Sequence, residues 1–65
     1  MRQRLIEASK NHFRAHIEKH LMNIEVLLKN PTAIDGHTDI MDAIEKEAAE
    51  IADYMDKLEV MEKFF

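Results

Sequence analysis

Sixty-five residues and 7.6 kDa leave room for one small domain. Apolar residues make up 46% and charged residues 34%, which excludes both a chain disordered by composition and a membrane span. The net charge is −4, cysteine is absent, and there is a single Gly and a single Pro, which excludes a disulfide framework, a thiolate metal site, a cysteine nucleophile and a turn-rich all-β domain.

From the amino end, Met1-Arg2-Gln3-Arg4-Leu5-Ile6-Glu7 carries basic residues but no apolar core of signal-peptide length. The longest strictly apolar run is Val26-Leu27-Leu28, far short of a bilayer span. The expectation is a cytoplasmic protein without a membrane anchor. The absence of breakers before Pro31 predicts a first helix over about 2–29. Ile6, Lys10, Phe13, Ile17, His20, Ile24 and Leu27 recur at alternating spacings of four and three, the pattern of a helix-pairing seam interrupted at Lys10 and His20.

The stretch 30–38 holds both Pro31 and Gly36 and reads as a loop; Pro31 disfavours helix at the residue before it. Thr38 is the expected N-cap of a second helix over about 39–63, with Asp39 and Asp42 in its first turn, near the positive end of the helix dipole. There the seam is Ile40, Ile44, Glu47, Ile51, Tyr54, Leu58, Met61 and Phe65, with the one acidic interruption at Glu47. The terminal Phe64-Phe65 either closes the end of a bundle or docks on another protein.

Two long helices joined by a short loop run antiparallel as a hairpin. The predicted register sets Leu28 against Ile40, Ile24 against Ile44 and Ile17 against Ile51, which brings Glu47 opposite His20 or Leu21. Each helix also carries a second apolar strip. The second helix has Met41, Ala48, Ala52 and Met55 beside its seam; the first has Leu21 and Leu28 on one flank and Ala8, Ala15, Met22 and Val26 round the back. A lone hairpin covers one stripe per helix, and a chain this short without disulfides gains most from association. The expected fold class is therefore all-α: an antiparallel helical hairpin that dimerises into a four-helix bundle, with Phe13, Ile17, Ile24, Ile44, Ile51 and Leu58 in the dimer core.

Charge is unevenly spread. Residues 1–20 hold five basic and two acidic residues, net +3; residues 39–63 hold three lysines and nine acids, net −6. Opposite signs favour pairing the first helix with the second. Arg4, Asn11, His12, Arg14 and Lys19 give the first helix a basic outer side that could contact RNA phosphates.

Three histidines, His12, His16 and His20, line one edge of the first helix at intervals of four. Residues at that spacing can present two imidazoles to one ion, so His16, His20 and Glu47 form a candidate transition-metal site. The competing reading is a structural polar layer in which His20 partners Glu47, because an unpaired carboxylate in a seam is costly. A third is a pH-sensitive interface. No Glu-x-x-His pair of the di-iron bundles occurs, no Gly-rich phosphate loop, and the lone Ser9 lies on a helix. These absences point away from an enzyme and imply no cofactor or small-molecule substrate.

The stretches His16-Ile17-Glu18-Lys19-His20, Ile24-Glu25-Val26-Leu27-Leu28-Lys29-Asn30-Pro31, Asp39 to Glu47 and Lys57 to Phe65 resemble short uncharacterised proteins of T4-like marine cyanophages. That resemblance implies a phage protein made in an infected cell and carries no assigned activity. In length and layout the chain also resembles the Rop plasmid copy-number regulators, which implies a dimeric bundle that contacts RNA through its first helices. The expected function is that of a small dimeric protein–protein interaction or regulatory module. RNA binding and metal binding are the alternatives.

Overall fold

The structure, a computed structural model, describes residues 1–29 and 39–65. Two helices account for nearly all of them: α1, Arg2–Lys29, and α2, Ile40–Phe64. No strand occurs among the described residues. The expected loop, with Pro31, Gly36, His37 and Thr38, lies outside them.

Both helices form where the sequence lacks breakers, and their ends show what stops them. At the start of α1 the Met1 carbonyl accepts from Leu5 N–H at 3.0 Å, and no acidic residue occupies the first turn. Lys29 in the last turn meets the negative end of the dipole. The start of α2 differs from expectation by one residue. Asp39, not Thr38, is the cap. Its backbone is extended at φ −68° and ψ 119°, and its carboxylate accepts from Met41 N–H at 2.9 Å. An aspartate there satisfies an amide that the helix leaves without a partner and adds a negative charge at the positive end. At the far end Phe65 N–H bonds back to the Met61 carbonyl at 2.9 Å, so α2 runs one residue beyond the expected Lys63.

The helices pack side by side along the predicted seam. The chain extends over 48 × 15 × 14 Å, with a radius of gyration of 15.0 Å. A compact chain of this length would have about 11 Å. The hairpin is thus a rod two helices wide, with no interior layer. Ile6, 6% exposed, is the one buried hydrophobic residue among those described. Phe13, Ile17, Ile24, Ile44, Ile51 and Leu58 are half-buried on the line between α1 and α2, so they hold the hairpin itself together. Neither helix is long and apolar enough to cross a membrane.

Replacing Asp39 with Ala should lower stability by about 1 kcal/mol, while Asp39→Asn should retain most of it, since Asn still accepts from the Met41 amide. Thermal unfolding followed by circular dichroism measures both.

Candidate functional site

The mid-length of the seam holds a polar layer built by three side chains from two helices. Glu47 enters from α2. His20 enters from α1, and its Nδ1–H donates to Glu47 Oε2 at 2.5 Å. Asn23, one turn further along α1, donates from Nδ2 to both Glu47 oxygens at 3.2 Å. The side chains of His20 and Glu47 are only 12% and 25% exposed. The predicted register thus holds to within a residue: Glu47 meets His20 rather than Leu21, the reading in which the interruptions of the two seams answer each other.

These donors hold the Glu47 carboxyl below its ordinary value. The His20 bond is the largest cause, partial burial opposes it, and the Asn23 bond adds to it. An ionised carboxylate accepts three hydrogen bonds here without needing a proton of its own. The seam pattern does not single out Asn23, although its position three residues after His20 places it on the same helical face.

Beside this layer stands a stack of rings. His16 lies flat against Tyr54, with centroids 4.3 Å apart and planes 8° from parallel. His12 meets His16 edge-on at 4.5 Å, and Phe13 and His20 flank Tyr54 at 6.2 and 6.1 Å. Lys57, held by Asp53 at 2.8 Å, sits 4.7 Å over the Tyr54 ring. That carboxylate bond raises the lysine above its ordinary value. The sequence places Tyr54 in the seam; its role as the surface on which the histidine edge rests emerges only from the packing.

The packing also fixes how the candidate metal ligands are arranged. His16, His20 and Glu47 do not converge on one point. His16 turns its face to Tyr54, its ring is 6.4 Å from that of His20, and its Nδ1 is buried with no hydrogen-bond partner among the described residues. No group of three His, Asp or Glu side chains among the described residues is placed to hold a metal ion. The reason is competition: Tyr54 takes the His16 ring and the Glu47 carboxylate takes the His20 nitrogen. Ser9 stands eleven residues before His20, about 16 Å along the helix, and so lies away from the His20–Glu47 pair.

Of the candidate RNA contacts, Arg14 is held by Asn11 Oδ1 at 3.0 Å and by Glu62 at 3.5 Å. His12 is turned against His16, while Arg4 and Lys19 are exposed. At the open end of the hairpin Phe65 lines a shallow apolar groove of about 430 Å³ with Ile6, Leu5 and Met61, and Phe64 points outward, 66% exposed. No family model, curated protein or solved structure matches this chain.

Two outcomes test the site. Replacing His20 alone with Leu leaves a part-buried carboxylate short of a donor and should lower stability by about 1–3 kcal/mol. Adding Glu47→Leu should recover that loss or exceed it, because a well-packed apolar pair replaces a part-buried polar pair. Denaturant titration of the single and double variants gives both numbers.

The second outcome is a pH dependence. Burial first, and then the charges of His12, Lys19 and His20, hold His16 below its ordinary value of 6.5, with Glu50 pulling the other way. The unfolded chain therefore takes up this proton more readily than the folded one. The contribution of neutral His16 is complete above pH 6.5 and is lost as the pH falls through the folded value. The contribution of Glu47, whose ordinary value is 4.5, persists further and is lost only in stronger acid. The thermal midpoint should drop between about pH 7.5 and about pH 5.5 in the native chain and drop less in His16→Gln.

Proposed function

We propose that this protein is a self-associating helical hairpin, a protein–protein interaction or regulatory module whose working unit is a homodimeric four-helix bundle. The observation that carries this reading is the imbalance of burial. Among the described residues Ile6 alone is buried, while Leu21, Leu28, Met41 and Met55 are 50–74% exposed, and Met22, Val26 and Phe64 are similarly open. A monomeric soluble domain keeps such side chains scattered; here they recur along the helices as strips.

Fully burying one Leu or Met side chain contributes about 1.5–3 kcal/mol, so covering a half-exposed one contributes about 1 kcal/mol. A second copy that covers four on each side adds several kcal/mol. That is comparable with the whole stability of an ordinary small domain, about 5–15 kcal/mol. The half-buried seam residues Phe13, Ile17, Ile24, Ile44, Ile51 and Leu58 then become core. Met22 and Val26 on the outer side of α1, and Phe64 at the end of α2, are left for a further protein.

RNA contact through Arg4, Asn11, His12, Arg14 and Lys19 is the weaker reading. Arg14 is committed to Glu62, and the −6 charge of α2 repels phosphate from the neighbouring surface.

Sedimentation equilibrium and circular dichroism across a dilution series test the proposal. The expected result is a particle of twice 7.6 kDa that loses helicity as it dissociates. A fully helical single chain, stable on dilution to micromolar concentration, overturns it.

A further inference from the structure

The two flanks of the hairpin differ in kind. Each seam alternates intervals of three and four residues; the residue that follows the first member of a four-residue interval lies on one flank of the antiparallel pair, and the residue that precedes its second member lies on the other. The preceding positions are mostly polar, Ser9, His16 and Asn23 on α1 and Glu50 and Lys57 on α2, with Ala43 and Phe64 at the two ends. Their placement agrees with this, since His16 and Lys57 both rest on Tyr54 and Asn23 bonds Glu47. The following positions are Leu28 and Leu21 on α1, and Met41, Ala48 and Met55 on α2. The next in each series are Arg14 and Glu62, and their ion pair at 3.5 Å shows that the two series share one flank.

That flank is also graded along its length. Near the loop end it presents Leu28 beside Met41, then Leu21 beside Ala48. Towards the open end the same series continue with Arg14 and Glu7 on α1 and with Met55 and Glu62 on α2. Leu21, Leu28, Met41 and Met55 are 50%, 59%, 74% and 55% exposed.

We infer that the occupant of this flank is a second copy of the chain, seated with its loop at the same end, so that α1 of each copy lies against α2 of the other. This rests on the self-association proposed above and adds its surface and its orientation. A two-fold axis parallel to the helices gives this arrangement. A two-fold axis across the helices gives the alternative, with loops at opposite ends, α1 on α1 and α2 on α2. Two observations separate them. The parallel axis matches the apolar rows Leu28–Met41 and Leu21–Ala48 with themselves; the crossed axis sets Leu28 and Met41 against Glu7 and Glu62. The parallel axis also lays the +3 of residues 1–20 against the −6 of residues 39–63, whereas the crossed axis lays −6 against −6.

The chain has no cysteine, so Lys29→Cys introduces one spin-label site at the loop end of α1 in each copy. Pulsed dipolar electron resonance on the labelled full chain then reads the separation between copies. Helix spacings of 8–10 Å put the two labels about 2–3 nm apart, arms included, in the inferred arrangement, and the helix length puts them beyond about 4 nm in the crossed one. A short distance supports the inference. A long distance overturns the orientation while leaving self-association standing. No dipolar coupling, together with a single-chain mass by sedimentation, overturns both.

A companion pair of variants locates the surface. Met55→Lys should shift the dissociation constant at least tenfold, and Met22→Lys, on the outer side of α1, should shift it little. The reverse order overturns the assignment of the flank.

Discussion

Two helices laid side by side share one line of contact, and each can turn only a narrow stripe of its circumference towards that line. In this chain that limit governs nearly every other feature of the molecule. The seam residues reach partial burial, Ile6 alone among the described residues reaches full burial, and many large apolar side chains are left on the surface. The length of the helices does not relieve the shortage, because extending a two-helix rod adds exposed and covered surface in the same proportion. A third or fourth helix packed on the pair would change that proportion. The elongated dimensions and the strips of exposed Leu and Met are two expressions of this one geometric fact.

Within that narrow contact the chain places a carboxylate. An acidic group in a seam is destabilising unless donors meet it, and Glu47 is met by His20 and Asn23. The arrangement need not add net stability relative to an apolar pair of similar volume. It does penalise alternative registers, because sliding either helix by one turn would break the His20–Glu47 bond while leaving the apolar seam residues still facing apolar partners. Apolar contacts tolerate such slippage; a desolvated carboxylate does not. The neighbouring His16–Tyr54 stack extends this intolerance along the same flank, since a flat ring contact also depends on axial position.

The rod is therefore specified on one flank and unfinished on the other. Rings and hydrogen bonds fill the polar flank, where His16 and His20 find partners within the chain. The apolar flank ends at the Arg14–Glu62 pair, and an exposed pair of that kind contributes at most about 1 kcal/mol. In the proposed assembly its value is in specificity, since it limits how far an apolar partner extends towards the open end. The proposed role in recognition rests on this division: chemistry-bearing side chains are consumed in fixing the hairpin, and surface with nothing to cover it is what remains for a partner.

The amino-acid sequence by itself determined the two helices, their limits to within a residue or so, the seam on each, and the placing of Glu47 opposite His20 or Leu21. All of these derive from periodicity, from the position of Pro31 and Gly36 and from the cost of burying an unpartnered charge, and such signals are local or pairwise. The cap lies at Asp39 instead of Thr38 because both residue types can cap, and only the backbone at Asp39 shows which one turns its oxygen to the Met41 amide. Tertiary structure alone decided that Asn23 completes the layer around Glu47 and that His16 lies on Tyr54 instead of joining His20 and Glu47 in a metal site. Spacing places side chains on a face; which of several neighbours each one chooses depends on rotamers and on distances across the helix pair, where Tyr54 and Glu47 compete for the same histidine edge.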